Sequence, residues 1–452
     1  MDFLLRREWA QALSAAFGRE AAKLAIGHAL DGLRREWLSG GPAPDEAAVR
    51  GIATEALKRG FRPPLRRVVN ATGVVLHTNL GRAPLPRLLL DEAAKTLCRY
   101  VDLEMDVETG ERGHRDSKVE SAFQELFHTD YLAIVTNNNA SAVMLLLNTF
   151  SKGRETVVSR GELVEIGGGF RMPEVMAAAG ARLVETGTTN KTRIGDYERA
   201  IGPRTGLLLK VHTSNFRVVG FTREVSLVEL AELGRKRSLP VAFDLGSGLL
   251  LPPGAVNAGD EPWLGEALSA APDAICFSAD KLLGGCQAGV ILAAPGVAAK
   301  IRANPLLRAL RADKYTYFLL GGVLDLYRKG RWAEIPALQM LSATEESLKR
   351  RAAALRKAIA KDCGGEFRTE VVMAKGRVGG GAAPLYDLAS PAVAISHPSL
   401  SAAEIESRLR AGEPPIISVV ARDNVLFHVR TLLGGDDKAI VSGLAALSGE
   451  AQ

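Results

Sequence analysis

The chain has 452 residues, 47% of them hydrophobic, and a net charge of +6. That length exceeds one ordinary core and implies two or three domains, and that composition excludes a disordered chain. Four cysteines (Cys98, Cys276, Cys286, Cys363) without paired spacing, and seven scattered histidines, argue against a disulfide framework, a redox motif or a bound metal. No apolar run approaches the roughly 20 residues that span a bilayer. Charges also enter early, at Asp2, Arg6 and Arg7, which is unlike a secretory signal. The expectation is a cytoplasmic protein.

Residues 1–66 are expected to form a helical domain. The stretch 7–38 is rich in Ala, Leu, Arg and Glu, with apolar residues at helical spacing (Trp9, Leu13, Ala16, Leu24, Ile26, Leu30, Leu33). Ser39-Gly40-Gly41-Pro42 breaks it, a second helix starts at Pro44 and runs to 59, and Pro63-Pro64 ends the region. A domain boundary is therefore placed near 62–67. Residues 1–67 carry twelve Lys/Arg against eight Asp/Glu, so +4 of the total +6 lies there. Such an excess suits a polyanionic partner, although a solvated helical surface has the same composition.

From 67 to 328 short buried runs alternate with helical patterns. Strands are expected at 131–135, 156–159, 182–185, 206–211, 240–244 and 274–278. Repeated strand–helix alternation predicts an α/β domain with a mainly parallel sheet covered on both faces. Residues 329–452 read as a small α+β domain. It has a charged helix at 342–361, strand-like runs at 392–397 and 416–420, a turn at Asp423-Asn424 into 425–429, and a last helix at 438–447.

Three constellations carry chemistry. Phe277-Ser278-Ala279-Asp280-Lys281-Leu282-Leu283-Gly284-Gly285 places a lysine just after a buried strand and before two glycines. A Schiff-base lysine needs such a rigid setting, one that lowers its pKa. Phe243-Asp244-Leu245-Gly246-Ser247-Gly248 ends another strand on an aspartate, where a pyridine nitrogen would be held protonated. Asn137-Asn138-Asn139-Ala140-Ser141 lies between a strand and a helix, the place where backbone N–H groups bind phosphate. Each alone is an ordinary strand end or helix cap. In this order on an α/β chain they are the layout of fold-type I pyridoxal-phosphate (PLP) enzymes.

Longer motifs are more specific. Val69-Asn70-Ala71-Thr72-Gly73-Val74-Val75-Leu76-His77-Thr78-Asn79-Leu80-Gly81-Arg82 resembles the opening motif of the bacterial L-seryl-tRNA(Sec) selenium transferases, the selenocysteine synthase family. So do Glu111-Arg112-Gly113-His114-Arg115-Asp116, the runs 159–168 and 184–190, Lys210-Val211-His212-Thr213-Ser214-Asn215 and Arg308-Ala309-Leu310-Arg311-Ala312-Asp313-Lys314. The resemblance covers nearly the whole chain. Cys286 departs from it, standing where proline is expected, and reads as a small gap-filling thiol.

The resemblance implies an aspartate-aminotransferase-like fold, with a tRNA-binding domain at 1–66, a PLP-binding catalytic domain at 67–328 and a small domain at 329–452. It implies conversion of seryl-tRNA(Sec) to selenocysteinyl-tRNA(Sec) with selenophosphate, by loss of the serine hydroxyl and addition of selenium. Lys281 would hold the cofactor and move the Cα proton, with Asp280 in support. Asp244, Ser278, Asn139, Ala140 and Ser141 would bind PLP, and Arg82, Arg308 and Arg311 the selenium donor. A homodecamer, a pentamer of dimers, is implied as well, with neither membrane nor DNA as partner. Glu162 and His212 lie in matched motifs without an assigned role. Arg430 is expected to be structural, since an aminoacyl ester has no free carboxylate to clamp. The competing readings are a PLP lyase or ammonia-lyase on a small amino sugar phosphate or amino acid, and a non-catalytic RNA-binding homologue.

Overall fold

The computed structural model describes residues 2–61 and 63–449. Met1, Arg62 and 450–452, at the edges of the expected first and last domains, lie outside the described residues. The chain divides into two compact units, Met1–Arg67 and Val68–Gln452.

The first unit is helical: α1 (Asp2–Leu5), α2 (Glu8–Phe17), α3 (Arg19–Leu38) and α4 (Glu46–Gly60). The stretch expected as one helix over 7–38 is therefore two. Gly18 takes φ 90° between them, a conformation open to a residue without Cβ. Of the eight buried core residues, five are alanines (Ala10, Ala22, Ala25, Ala29, Ala53), joined by Ile26, Val49 and Leu57. The seam thus runs along small residues, and Leu24 of the expected apolar face points outward. Asp45 caps α4 by accepting the Ala48 N–H at 2.5 Å.

The second unit is built on a seven-stranded sheet: β1 (Leu132–Thr136), β2 (Glu155–Ser159), β3 (Arg182–Thr186), β4 (Thr205–Val211), β5 (Val241–Gly246), β6 (Ala274–Ser278) and β7 (Gly289–Ala293). The spatial order is β1-β7-β6-β5-β4-β2-β3. All neighbours pair in parallel except β7, which opposes both β1 and β6. Every residue of β4 is buried, as expected of a strand covered on both faces. Helix α5 (Asn139–Ser151) packs into the core on one face. After the short α6 (Leu306–Leu310), α7 (Lys314–Arg328) packs into the core on the other.

A five-stranded sheet contains β8 (Arg368–Gly379), β9 (Ala382–Ser396) and β10 (Asn424–His428), and α8 (Glu345–Asp362) and α9 (Asp436–Gly449) share its core. Val74–Leu76 pairs in parallel with β8, and Val69–Asn70 with Ile416–Ile417. The segment just after the first unit therefore joins the sheet formed by the C-terminal residues. The hairpin into β10 turns on Arg422 and Asp423, with φ 49° and 58°, one residue earlier than the Asp423-Asn424 expected. Among the described residues no helix is long and apolar enough to cross a membrane.

Candidate active site

Asp244 and Lys281 meet because their strands are neighbours. Asp244 stands opposite Cys276 in the β5–β6 register, and Lys281 follows the end of β6 by three residues. Both therefore lie at the carboxyl edge of a parallel sheet, where α/β folds place ligands. The two loops are stitched together, the Leu282 amide donating to the Ser247 carbonyl at 3.0 Å. Gly248, at φ 69°, permits this approach, since a Cβ there would come within 2.6 Å of the Ser278 carbonyl oxygen. Lys281 is 5% exposed and Asp244 6%. Burial holds the Lys281 amine below its ordinary pKa against the pull of Asp244, and Arg82 adds to the lowering. A buried amine with a depressed pKa is what nucleophilic attack on a carbonyl requires. Burial pushes the Asp244 carboxyl up, opposed by a hydrogen bond from Asn139 and by the charges of Lys281 and His212.

The start of α5 completes the edge. Asn138 is the cap, its Oδ1 accepting the Ser141 amide at 2.9 Å. The amides of Asn139 and Ala140, the first two of the helix, and the Ser141 hydroxyl remain to meet an anion. The Asn139 side chain turns instead to Asp244, donating to Oδ1 at 2.8 Å. Buried polar atoms without a partner gather around these residues: Asn139 Oδ1, His212 Nε2, Ser214 Oγ and Ser247 Oγ. An unpaired buried polar group costs about 1–3 kcal/mol, so such a group of orphans marks room for a polar ligand. PLP fits the donor set, with an amine for its aldehyde, a carboxylate for its ring nitrogen and a helix N-terminus for its phosphate.

The three predicted donor-site arginines are not together within one chain. Arg82, held at φ 61°, binds Asp280 Oδ2 through Nη1 at 2.7 Å, beside Lys281. Asp280 is buried and its carbonyl accepts the Ala83 amide, so this pair braces the lysine loop. Arg308 and Arg311 line a separate cleft of about 420 Å³ that Arg82 does not reach. Nor do they share a helical face: α6 stops at Leu310, and Arg311 is extended and bridges to Thr136. The cleft also holds Arg112, Arg115 and Arg302. Glu104 accepts from Arg112 at 2.9 Å, from Arg115 and from Arg311 at 3.5 Å. Five arginines thus line one cleft, three of them paired with Glu104 and Arg302 paired with Glu120. Sequence reading assigned a role to only two of them. Arg112 and Arg115 stood in a quoted motif without one, and Arg302 carried no local signal.

Ser278 ends β6 and is buried. Cys286 packs against the core, and burial pushes its thiol up to about 12, which leaves it unreactive. Arg430 is buried on the carbonyls of Ala389 and Met340, so its guanidinium is occupied by the fold. Glu162 is paired with Lys210 at 3.0 Å and accepts the Val211 amide, which ties the loop after β2 to β4.

The sequence profile of the L-seryl-tRNA selenium transferase family matches residues 68–433. The chain is 43% identical over 453 aligned residues to the L-seryl-tRNA(Sec) selenium transferase of Geotalea uraniireducens, covering 99% of this chain and 98% of that one. It is 47% identical over 391 residues to that of Moorella thermoacetica, covering 86% and 83%. Among solved structures it is similar to a D-glucosaminate-6-phosphate ammonia-lyase, with a TM-score of 0.59 at 17% identity, covering 86% of this chain and 97% of that one. That likeness concerns the fold, which is the fold-type I arrangement of PLP-dependent transferases.

Proposed function

The chain belongs to the L-seryl-tRNA selenium transferase family, a PLP-dependent family, and on that premise we propose that it converts L-seryl-tRNA(Sec) to L-selenocysteinyl-tRNA(Sec) with selenophosphate as donor. The observation that carries this reading is the buried Lys281 of lowered pKa, three residues past the strand that neighbours that of Asp244, at the edge where α5 begins. PLP supplies an electron sink for the substrate's Cα. Asp244 would hold a proton on the ring nitrogen, and the amides of Asn139 and Ala140 would bind the phosphate. Lys281 Nζ takes the Cα proton of the seryl group. The Cβ–O bond then breaks and the hydroxide takes up a proton to leave as water; the donor's selenium forms the Cβ–Se bond, its Se–P bond breaks as the phosphoryl group passes to water, and Lys281 Nζ returns its proton to Cα. The Arg308–Arg311 cleft binds the donor's oxyanion. Arg82 orders the lysine loop through Asp280.

The basic helical unit binds the tRNA through its phosphates, and the protein works in the cytoplasm as a homo-oligomer, a decamer of five dimers. The test is single-turnover conversion of seryl-tRNA(Sec) with selenophosphate, run beside free serine and seryl-tRNA(Ser). Selenocysteinyl-tRNA from the first substrate alone is expected. Turnover of a free small amino substrate in its place would overturn the reading.

A further inference from the structure

Glu261 is a buried carboxylate that none of the steps above uses. Its side chain has no exposed surface. Oε1 accepts the Ala383 amide at 2.5 Å. Oε2 lies 3.3 Å from His212 Nε2, though without the angle of a hydrogen bond. His212 itself follows β4, and its amide donates to the Asp244 carbonyl at 2.9 Å. Ser247, in the turn just after Asp244, flanks the same carboxylate. Glu261 therefore reaches His212, whose backbone is tied to that of Asp244 at the strand ends.

The backbone around Glu261 is arranged at a cost. Ala383, the second residue of β9 beside the tip that joins it to β8, is held at φ 46°. Such a conformation is strained for a residue with a Cβ. The same tip approaches the site, since a Cβ at Gly381 would lie 3.8 Å from Ser214 Oγ. Burial works to raise the Glu261 carboxyl, but His212, the Ala383 amide and Ser247 outweigh it and hold it below the ordinary range. A buried carboxylate needs a partner of opposite charge. Among the described residues the basic side chain at contact distance is His212, a counter-charge only when protonated. The other charged groups nearby are Asp244 and Lys281 at the strand ends, with Asp280 and Arg82 beyond.

We propose that Glu261 is a positioning residue that fixes His212 beside Asp244 and so sets the charge balance in which Lys281 and the cofactor's ring nitrogen titrate. The inference rests on the PLP-dependent reading of the site. Removing one negative charge from the surroundings of a cation lowers that cation's pKa.

The experiment follows the absorbance of bound PLP through a pH titration, in wild-type holoenzyme and in Glu261→Gln, Glu261→Asp, His212→Gln and the Glu261→Gln/His212→Gln double variant. In Glu261→Gln the midpoint is expected about one pH unit lower, and the cofactor is expected to dissociate about tenfold faster. Glu261→Asp, which keeps the charge, should return the midpoint toward wild type. The double variant should shift no further than His212→Gln, because the two residues act as one unit. A structural role alone would lower Tm and leave the midpoint in place. An unchanged midpoint in Glu261→Gln, or shifts that add in the double variant, would overturn the proposal. A wild-type protein that takes up no PLP would overturn the reading beneath it as well.

Discussion

In the N-terminal helical unit the charges lie on the surface around a core of eight residues, five of them alanine. At the strand ends of the large sheet, Lys281, Asp244, Asp280 and Glu261 are each less than a tenth exposed. The Arg7–Glu46 pair of the first unit, at 3.1 Å, leaves both side chains two-fifths exposed or more. Such pairs contribute little to stability and are free to exchange for other partners. A diffuse basic surface on a thin core suits a polyanion, whose charge is read without fine geometry. The strand-end charges each need a specific counter-group, so the same residue types there define chemistry.

The largest expected effect breaks the buried side of this comparison. Lys281→Ala should lower single-turnover conversion by about 10³-fold or more, the scale of a lost proton-transfer group combined with a lost attachment point. It should also abolish the absorbance of lysine-bound PLP. An unchanged spectrum would move the attachment site elsewhere. The surface side is broken by removing residues 1–67. PLP uptake should be retained while affinity for tRNA falls about a hundredfold, and the steep salt dependence of the full chain should be lost with it. Equal tRNA affinity in the truncated protein would assign recognition to the second unit.

Much of the buried site was legible because its elements are local. The runs at 240–244 and 274–278 are apolar strands, the first ending on Asp244 and the second leading into Asp280 and Lys281, and the structure places β5 and β6 there with shifts of no more than two residues at either end. What was not legible depends on distant partners. Glu261 has no motif of its own, and its meaning comes from His212 and Ala383, far away in the chain. The strands at Val69–Asn70 and Val74–Leu76 are too short for any alternation, and they exist because C-terminal residues offer them an edge. Arg311 follows Arg308 at helical spacing, yet its bridge to Thr136 takes it out of the helix. In the helical unit the break at Gly18 was hidden because one glycine seldom ends so strongly helical a stretch.

A buried titratable group outside the site sharpens the comparison through stability. His428, on β10, shares a 2.9 Å hydrogen bond with Ser390, and burial pushes its pKa from 6.5 down to about 4. The folded protein thus keeps the imidazole neutral, while the unfolded chain takes up a proton below 6.5. Its contribution is complete above that pH and is lost as pH falls from 6.5 toward about 4. Between pH 7 and pH 5 the loss should be about 2 kcal/mol. Denaturant unfolding at the two pH values should show that loss in the wild type and a flatter response in His428→Gln.

The smallest effect tests whether the helical unit is as marginal as its alanine core suggests. Asp45→Ala removes the acceptor that caps α4 at the Ala48 amide, and losing such a cap costs about 1 kcal/mol. In a domain with a large core that would pass unnoticed. Here α4 supplies Val49, Ala53 and Leu57, three of the eight buried core residues, so fraying at its first turn should loosen the whole unit. Hydrogen exchange should therefore quicken across α2, α3 and α4 together by about fivefold, with the protection of β5 and β6 unchanged. Faster exchange confined to the first turn of α4 would show that the unit is held by more than its visible core.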